Sequence, residues 1–307
     1  MPLRGWLEQG SGAQGWWRGP GGVRAGWRVA MFLVLLAGSV FGLALLAALL
    51  PLPRFHPGAA LTPGFLAVNE ALLLLPVLLA SLVMVRLEGR SLASCGLVDK
   101  RRLARCATGF AGGVAVLGAL ILLLVLFGHA RAGWGGLSVA EILEYALVWA
   151  GSSLLIGFAE EFAFRGYLLQ TLTRGCGFWR ALILTSLVFG ALHYSDSGEG
   201  LCGVLNAALA GAVFALGIRR TGSLWWSIGF HGGWDYAENF IFGAHDSGQA
   251  CAFTLLQLVP AGSPLFSGGV TGPEGSVLGT AVLAVTGLAV WAWPRKPPVS
   301  PYQPRDL

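Results

Sequence analysis

The sequence predicts an all-α fold, a polytopic transmembrane helical bundle of about eight spans with a polar cavity inside the membrane. Three observations carry this reading. Of the 307 residues, 55% are hydrophobic and only 11% charged, with a mean hydropathy of +0.69, whereas a soluble domain carries roughly 25% charged residues. Apolar runs of the length needed to cross a bilayer, about 17 to 25 residues, recur along the chain. Within them, carboxylates and imidazoles fall on three of the later runs, where an unpaired charge is costly and usually faces a polar cavity.

Taken in order, runs at 29–50, 64–85, 107–128, 224–242 and 277–293 are spans by length and composition. Two shorter ones fit at 179–192 and 201–218, and a longer segment at 145–174 holds Glu160, Glu161 and Arg165. Eight spans sort the basic residues. Arg4, Arg18, Arg24 and Arg28 precede the first, and six more basic residues fill the loop 86–105 after the second. Arg174 and Arg180, Arg219 and Arg220, and the basic residues of the tail fall on the same side, leaving Arg54 and Arg131 outside the pattern. The positive-inside rule then puts both termini in the cytoplasm. The net charge of +5 reports this topology, and no nucleic-acid partner is expected.

The chain divides into a cytoplasmic lead at 1–26, accessory spans and loops at 27–144, a core at 145–294 and a proline-rich cytoplasmic tail at 295–307. The lead reads as loosely ordered, and the loop 86–105, with Glu88 and Asp99 among its arginines, as solvated or in contact with lipid headgroups. Glu70, towards the outer end of the second span, reads as interfacial, and Glu141 and Glu144 as part of an interfacial turn. The stretch 243–276 is rich in Gly and Pro, and its apolar run 252–259 reads as re-entrant or interfacial. Cys95, Cys106, Cys176, Cys202 and Cys251 lack metal-ligand spacing and imply no disulfide framework. No internal repeat is visible, which argues against a transporter built from duplicated halves.

On a helix, Glu161 and Arg165 stand four apart and share a face, so an ion pair there lowers the cost of both charges. Glu160 points about 100° away and lacks that cation, which leaves it as the free base. His231 and Asp235 are likewise four apart on the seventh span, with Glu238 continuing their face, and His193 ends the fifth. Counted from the nearest arginines, Glu160, His193, His231 and Asp235 each lie roughly 16 to 22 Å deep at 1.5 Å per residue, so they can meet in one layer. A carboxylate and an imidazole can hold and deprotonate a water, while a second imidazole with a carboxyl neighbour can steady an oxyanion or protonate a leaving amine. That chemistry hydrolyses a peptide bond without a covalent intermediate. No GxSxG elbow or suitably placed cysteine favours the covalent route.

The run Glu160-Glu161-Phe-Ala-Phe-Arg165 resembles the EExxxR motif of the CAAX-processing and bacteriocin-processing intramembrane endopeptidases, the CPBP or Abi family. Phe189-Gly-Ala-Leu-His193 resembles its FxxxH motif and His231-Gly-Gly-Trp-Asp235 its HxxxN/D motif, and the glycine-rich 267–276 is similar to a segment of many bacterial members. The resemblance covers roughly 151–276. It implies an eight-helix fold with a cavity open to the membrane, water activated by Glu160 and His193, and an oxyanion held by His231 and Asp235. Glu161 belongs to the same catalytic set, with Arg165 as its structural partner. Many members carry Asn where this chain has Asp235, so Asp235 is protonated, orients His231 or helps to bind a metal. Members are often described as metalloproteases. That leaves open a divalent cofactor such as zinc, with Glu160, His193 and His231 as its ligands, although no HExxH motif is present.

The expected function is therefore an intramembrane endopeptidase acting on a membrane-associated protein or peptide at the lipid bilayer, in CAAX-type or bacteriocin-type processing. The rivals are a non-catalytic scaffold or immunity-type binding protein using the same cavity, and a proton-coupled transporter. Eighteen arginines against two lysines hint at a GC-rich bacterial genome, hence a bacterial plasma membrane.

Overall fold

A computed structural model describes residues 15–19, 22–49, 59–194 and 200–294. The tail at 295–307, residues 1–14 of the lead, Arg54 and His56 lie outside them. The chain is a bundle of helices: α1 (Ala25–Ala48), α2 (Pro63–Leu87), α3 (Arg102–Leu126), α4 (Val139–Glu161), α5 (Leu169–Cys176), α6 (Phe178–His193), α7 (Leu201–Thr221), α8 (Trp225–Tyr236), a single-turn α9 (Pro264–Ser267) and α10 (Val277–Ala292). A π-helical turn, Phe162–Leu168, joins α4 to α5 without a break, and a second, Ala237–Ile241, extends α8.

Among the described residues five helices are long and apolar enough to cross a membrane: α1, α2, α3, the continuous Val139–Cys176 and α7. α6 and α10 are shorter apolar helices. With α8 and its π turn in the middle, these correspond to the eight expected segments. The outward faces are apolar, with Leu33, Val34, Phe41 and Leu45 of α1 exposed, as lipid contact requires. The chain is an integral membrane protein.

Local signals set the ends. Thr62 caps α2 by accepting from the Phe65 amide at 3.3 Å, with Pro63 in the first turn, where its missing N–H costs nothing. Ser138 and Glu141 form a capping box at the start of α4. Glu141 and Glu144 are therefore helical residues, and the expected interfacial turn ends before them. Gly177, at φ 84°, makes the corner between α5 and α6 that a side chain would strain.

α8 sits at the centre, gripped between α3 and α4. The grip depends on glycine. A Cβ on Gly109 or Gly113 of α3 would lie 2.1 Å from the Trp226 or Phe230 carbonyl oxygen, and one on Gly229 or Gly233 of α8 would lie 2.0 or 2.1 Å from the Cys106 or Phe110 carbonyl oxygen. Both helices thus show small residues four apart, the pattern that lets backbones touch where lipid offers no hydrophobic drive. On the other side, Gly157 of α4 approaches the Ile228 oxygen, to 2.6 Å from its Cβ position, and Gly232 faces Ser153.

Three loops carry more structure than the sequence suggests. The apolar run 252–259 leads into β4 (Leu256–Pro260), which pairs antiparallel with β3 (Ala130–Trp134) in the register Ala130↔Pro260 to Trp134↔Leu256. Backbone pairing satisfies the amides that a lone extended segment would leave open. The loop 86–105 is not simply solvated. Glu88 is 4% exposed and gathers Arg90 at 2.7 Å, Arg28 at 3.4 Å, Arg174 at 3.9 Å and the Tyr167 hydroxyl at 2.7 Å, tying this loop to α1 and α5. In the described part of the lead, β1 (Arg18–Gly19) pairs antiparallel with β2 (Gly22–Val23), with Val23 buried.

Candidate active site

α4, α6 and α8 deliver the motif residues to one cavity. Glu161 and Arg165, both fully buried, pair at 2.9 Å as their spacing predicts. Phe189 and Phe214 place their ring faces 4.4 and 5.3 Å from the guanidinium, an added attraction for a cation in a dry site. The π turn begins straight after Glu161. Such bulges shift side-chain direction and recur at functional sites.

Glu161 also does something the spacing did not predict. Its Oε1 lies 3.2 Å from His231 Nδ1, so one carboxylate joins Arg165 on its own helix to His231 on α8. Paired with Arg165, Glu161 accepts a hydrogen bond from His231 Nδ1. That fixes the ring and turns Nε2 towards Glu160 Oε2 at 3.9 Å and Asp235 Oδ1 at 3.7 Å. Phe214 stacks on the same ring at 4.8 Å. The two Nε2 distances exceed a hydrogen bond and suit a bridging water or an oxygen of a ligand. Glu160 keeps a 29% exposed side chain, unlike Glu161, so the two neighbours divide as the helical wheel requires.

His193 ends α6, with Nδ1 2.8 Å from the Phe189 carbonyl oxygen. A carbonyl only accepts, so Nδ1 donates and a neutral ring keeps its lone pair on Nε2. His193, His231 and Asp235 line a cavity of about 450 Å³ together with Glu160, and also a smaller void of about 40 Å³. The smaller void exceeds the ~10–15 Å³ that a water molecule needs. All four residues expected in one layer are therefore brought to one cavity.

The cavity holds more acid than the motifs supply. Glu70 on α2, read from the sequence as interfacial, is only 6% exposed and lines it. Asp246 and Glu274, from the segment after α8, line it too. Glu274 belongs to the glycine-rich 267–276, which Asn206 of α7 pins by donating to the carbonyls of Glu274 at 2.6 Å and Ser276 at 2.9 Å. Trp234 then donates its indole N–H to Glu274 at 2.6 Å and to the buried Glu238 at 3.1 Å. Glu238 thus faces Trp234 and Glu274, one turn beyond Asp235. Gly272 of this segment, at φ 108°, passes so near the His245 carbonyl oxygen that a Cβ would lie 2.0 Å away.

Burial pushes the Asp246 carboxyl above the usual carboxylate range; a hydrogen bond from Asn239 opposes the rise and the charge of Glu160 adds to it. Burial raises Glu274 likewise, with the charge of Asp246 adding and His193 and Trp234 opposing. Among the described residues no group of three or more His, Cys, Asp or Glu is placed to hold a metal ion. Glu160, His193 and His231 do not fit a metal as they stand.

Residues 142–237 match the family model described as Type II CAAX prenyl endopeptidase Rce1-like. The match covers less than half of the chain, but it runs from the first turn of α4 to the end of α8 and contains all three motifs. It agrees with the resemblance to the CPBP endopeptidases. No curated protein matches the chain. Glu70, Asp246 and Glu274 lie outside the matched stretch. Of these, Glu70 carried a signal in the sequence, since a carboxylate inside an apolar run is a candidate site residue.

Proposed function

We propose that this protein is an intramembrane endopeptidase of the CAAX-processing type, hydrolysing a peptide bond of a membrane-associated protein or peptide. The observation that carries the proposal is the convergence of Glu160, His193, His231 and Asp235 on one cavity inside a transmembrane bundle. The Rce1-like match supports the same reaction class.

In this reading Glu160 and the lone pair of His193 hold a water and take its proton as its oxygen attacks the scissile carbonyl. Negative charge then develops on the carbonyl oxygen. His231 Nε2, aimed by Glu161 at Nδ1, carries a proton towards that oxygen, and Asp235 assists as a protonated carboxyl donor. The proton taken from water passes to the leaving amine as the C–N bond breaks, giving a free carboxylate and a new amino terminus. Low dielectric strengthens each of these interactions, which explains a site built at this depth. Arg165 and the Glu88 cluster hold the helices that carry it. The distribution of arginines supports cytoplasmic termini in a bacterial plasma membrane.

The test is cleavage of lipidated peptides and membrane proteins by the purified protein in liposomes, followed by mass spectrometry. Wild type is compared with His193→Ala, each with and without a chelator. Cleavage by wild type that His193→Ala abolishes supports the reading, and chelator sensitivity would add a metal to it. Equal cleavage by both would remove His193 from the chemistry.

A further inference from the structure

The cavity carries five carboxyl groups, Glu70, Glu160, Asp235, Asp246 and Glu274, against two imidazoles, and none of its described lining residues is Lys or Arg. Glu160 and Asp235 stand 3.9 and 3.7 Å from His231 Nε2, and Glu274 accepts from Trp234. Glu70 Oε1 accepts from Asn69 at 3.2 Å, while among the described residues its Oε2, like Glu160 Oε2 and Asp235 Oδ2, is buried without a hydrogen-bond partner. Other buried carboxylates here, Glu161 and Glu88, meet arginines. A buried acceptor left open is costly, so such a group is retained where something else fills the role of partner.

The walls beside Glu70 indicate the shape of that partner. Leu61, Phe65, Leu66 and Leu73 line the same cavity, which at about 450 Å³ lies in the range of small-ligand sites. A cavity with apolar residues beside carboxylates suits a methylene stem with a cationic head, which is how lysine and arginine side chains bury. A chelated metal fits less well, because no three donors among the described residues converge on one point.

We propose that Glu70 and Asp246 form a specificity subsite that takes a basic side chain of the substrate, lysine or arginine, at one position near the bond to be cleaved. This rests on the endopeptidase reading for the word substrate, but the subsite itself is testable without turnover. Glu70 accepts the head through its open oxygen, Asp246 supplies a second carboxyl, and the α2 leucines cover the stem.

The experiment measures binding of lipidated peptides to the purified protein in nanodiscs. A single lysine is moved through an otherwise neutral sequence, each register being matched by a norleucine control. One register is expected to bind about tenfold more tightly with lysine than with norleucine, the scale of a hydrogen bond to a charged group. Glu70→Gln should remove that preference and Asp246→Asn weaken it, while norleucine peptides bind both variants as they bind wild type, which also verifies the fold. Lysine preference in no register, or one that both variants keep, would overturn the proposal. So would norleucine peptides that bind more tightly on addition of magnesium or zinc, since the occupant would then be a metal. Cleavage is scored in parallel. Lysine preference without cleavage keeps the subsite and defeats the hydrolytic reading, and cleavage without preference does the reverse.

Discussion

Replacing Gly229 by alanine adds one methyl group to α8, two residues before His231. The new Cβ would stand 2.0 Å from the Cys106 carbonyl oxygen and 2.8 Å from its carbon, both backbone atoms of α3. Ordinary contact begins near 3.4 Å, so the helices must part by about 1.4 Å at that point. They have little room. Gly233 binds α8 to Phe110 one turn later, and retreat from α3 drives α8 into α4 at Gly157. Overpacking of this kind costs about 1–3 kcal/mol. Function should suffer more than stability, because His231 moves with the helix while Glu160 and Glu161 stay on α4. Misplacement by about 1 Å can cost on the order of 10²-fold in rate. The assay pairs thermal unfolding in detergent with cleavage rate, and Gly151→Ala on α4 is the control, since its Cβ would meet nothing within 4 Å. A Tm lowered by several degrees and a rate down by about 10²-fold, with the control unchanged in both, is expected. A Gly229→Ala protein with wild-type Tm and wild-type rate would refute the argument that glycine contact positions His231.

Glu161→Gln leaves Arg165 buried without its anion and should lower stability by about 3–5 kcal/mol; Arg165→Met added to it should restore much of the loss, read as Tm in the double-mutant cycle. The raised Asp246 and Glu274 carboxyls bind protons more tightly folded than unfolded, so their contribution to stability is full below the ordinary carboxylate range and lost as pH rises through their folded values. Between about pH 4 and 8 the wild-type Tm should therefore fall more steeply than that of Asp246→Asn/Glu274→Gln, and parallel curves would contradict this. Burial pushes the Cys95 thiol up to about 11, with Arg90 opposing and Glu88 adding. Maleimide near pH 8 should spare Cys95 in the folded protein and label it after denaturation, as peptide mapping will show.

Much of the site was legible because it is local. Glu161 with Arg165, and His231 with Asp235, are four apart on single helices, and helical geometry alone puts each pair on one face. The bundle followed from the apolar runs, since a bilayer admits few other structures. What escaped depends on contacts between segments. That Glu161 reaches His231 as well as Arg165 requires α4 and α8 to touch, and the glycines that let them touch look unremarkable in a chain with 46. Glu70 reads as interfacial from its position along one helix, whereas its burial at the cavity depends on how several segments pack around it. Asp246 and Glu274 arrive through a long connection whose path rests on Asn206 and Trp234, and no periodicity encodes that. The β3–β4 pairing was missed for the same reason, as its strands lie more than a hundred residues apart.

The central claim is that Glu160 activates a water in this cavity, and one variant tests it most directly. Glu160 is partly exposed and, among the described residues, belongs to no ion pair with an arginine, so Glu160→Gln should fold as wild type does. The account predicts an unchanged Tm with a cleavage rate in liposomes lowered by about 10²- to 10⁴-fold, the usual contribution of a general base. A Glu160→Gln protein that cleaves at the wild-type rate would contradict it.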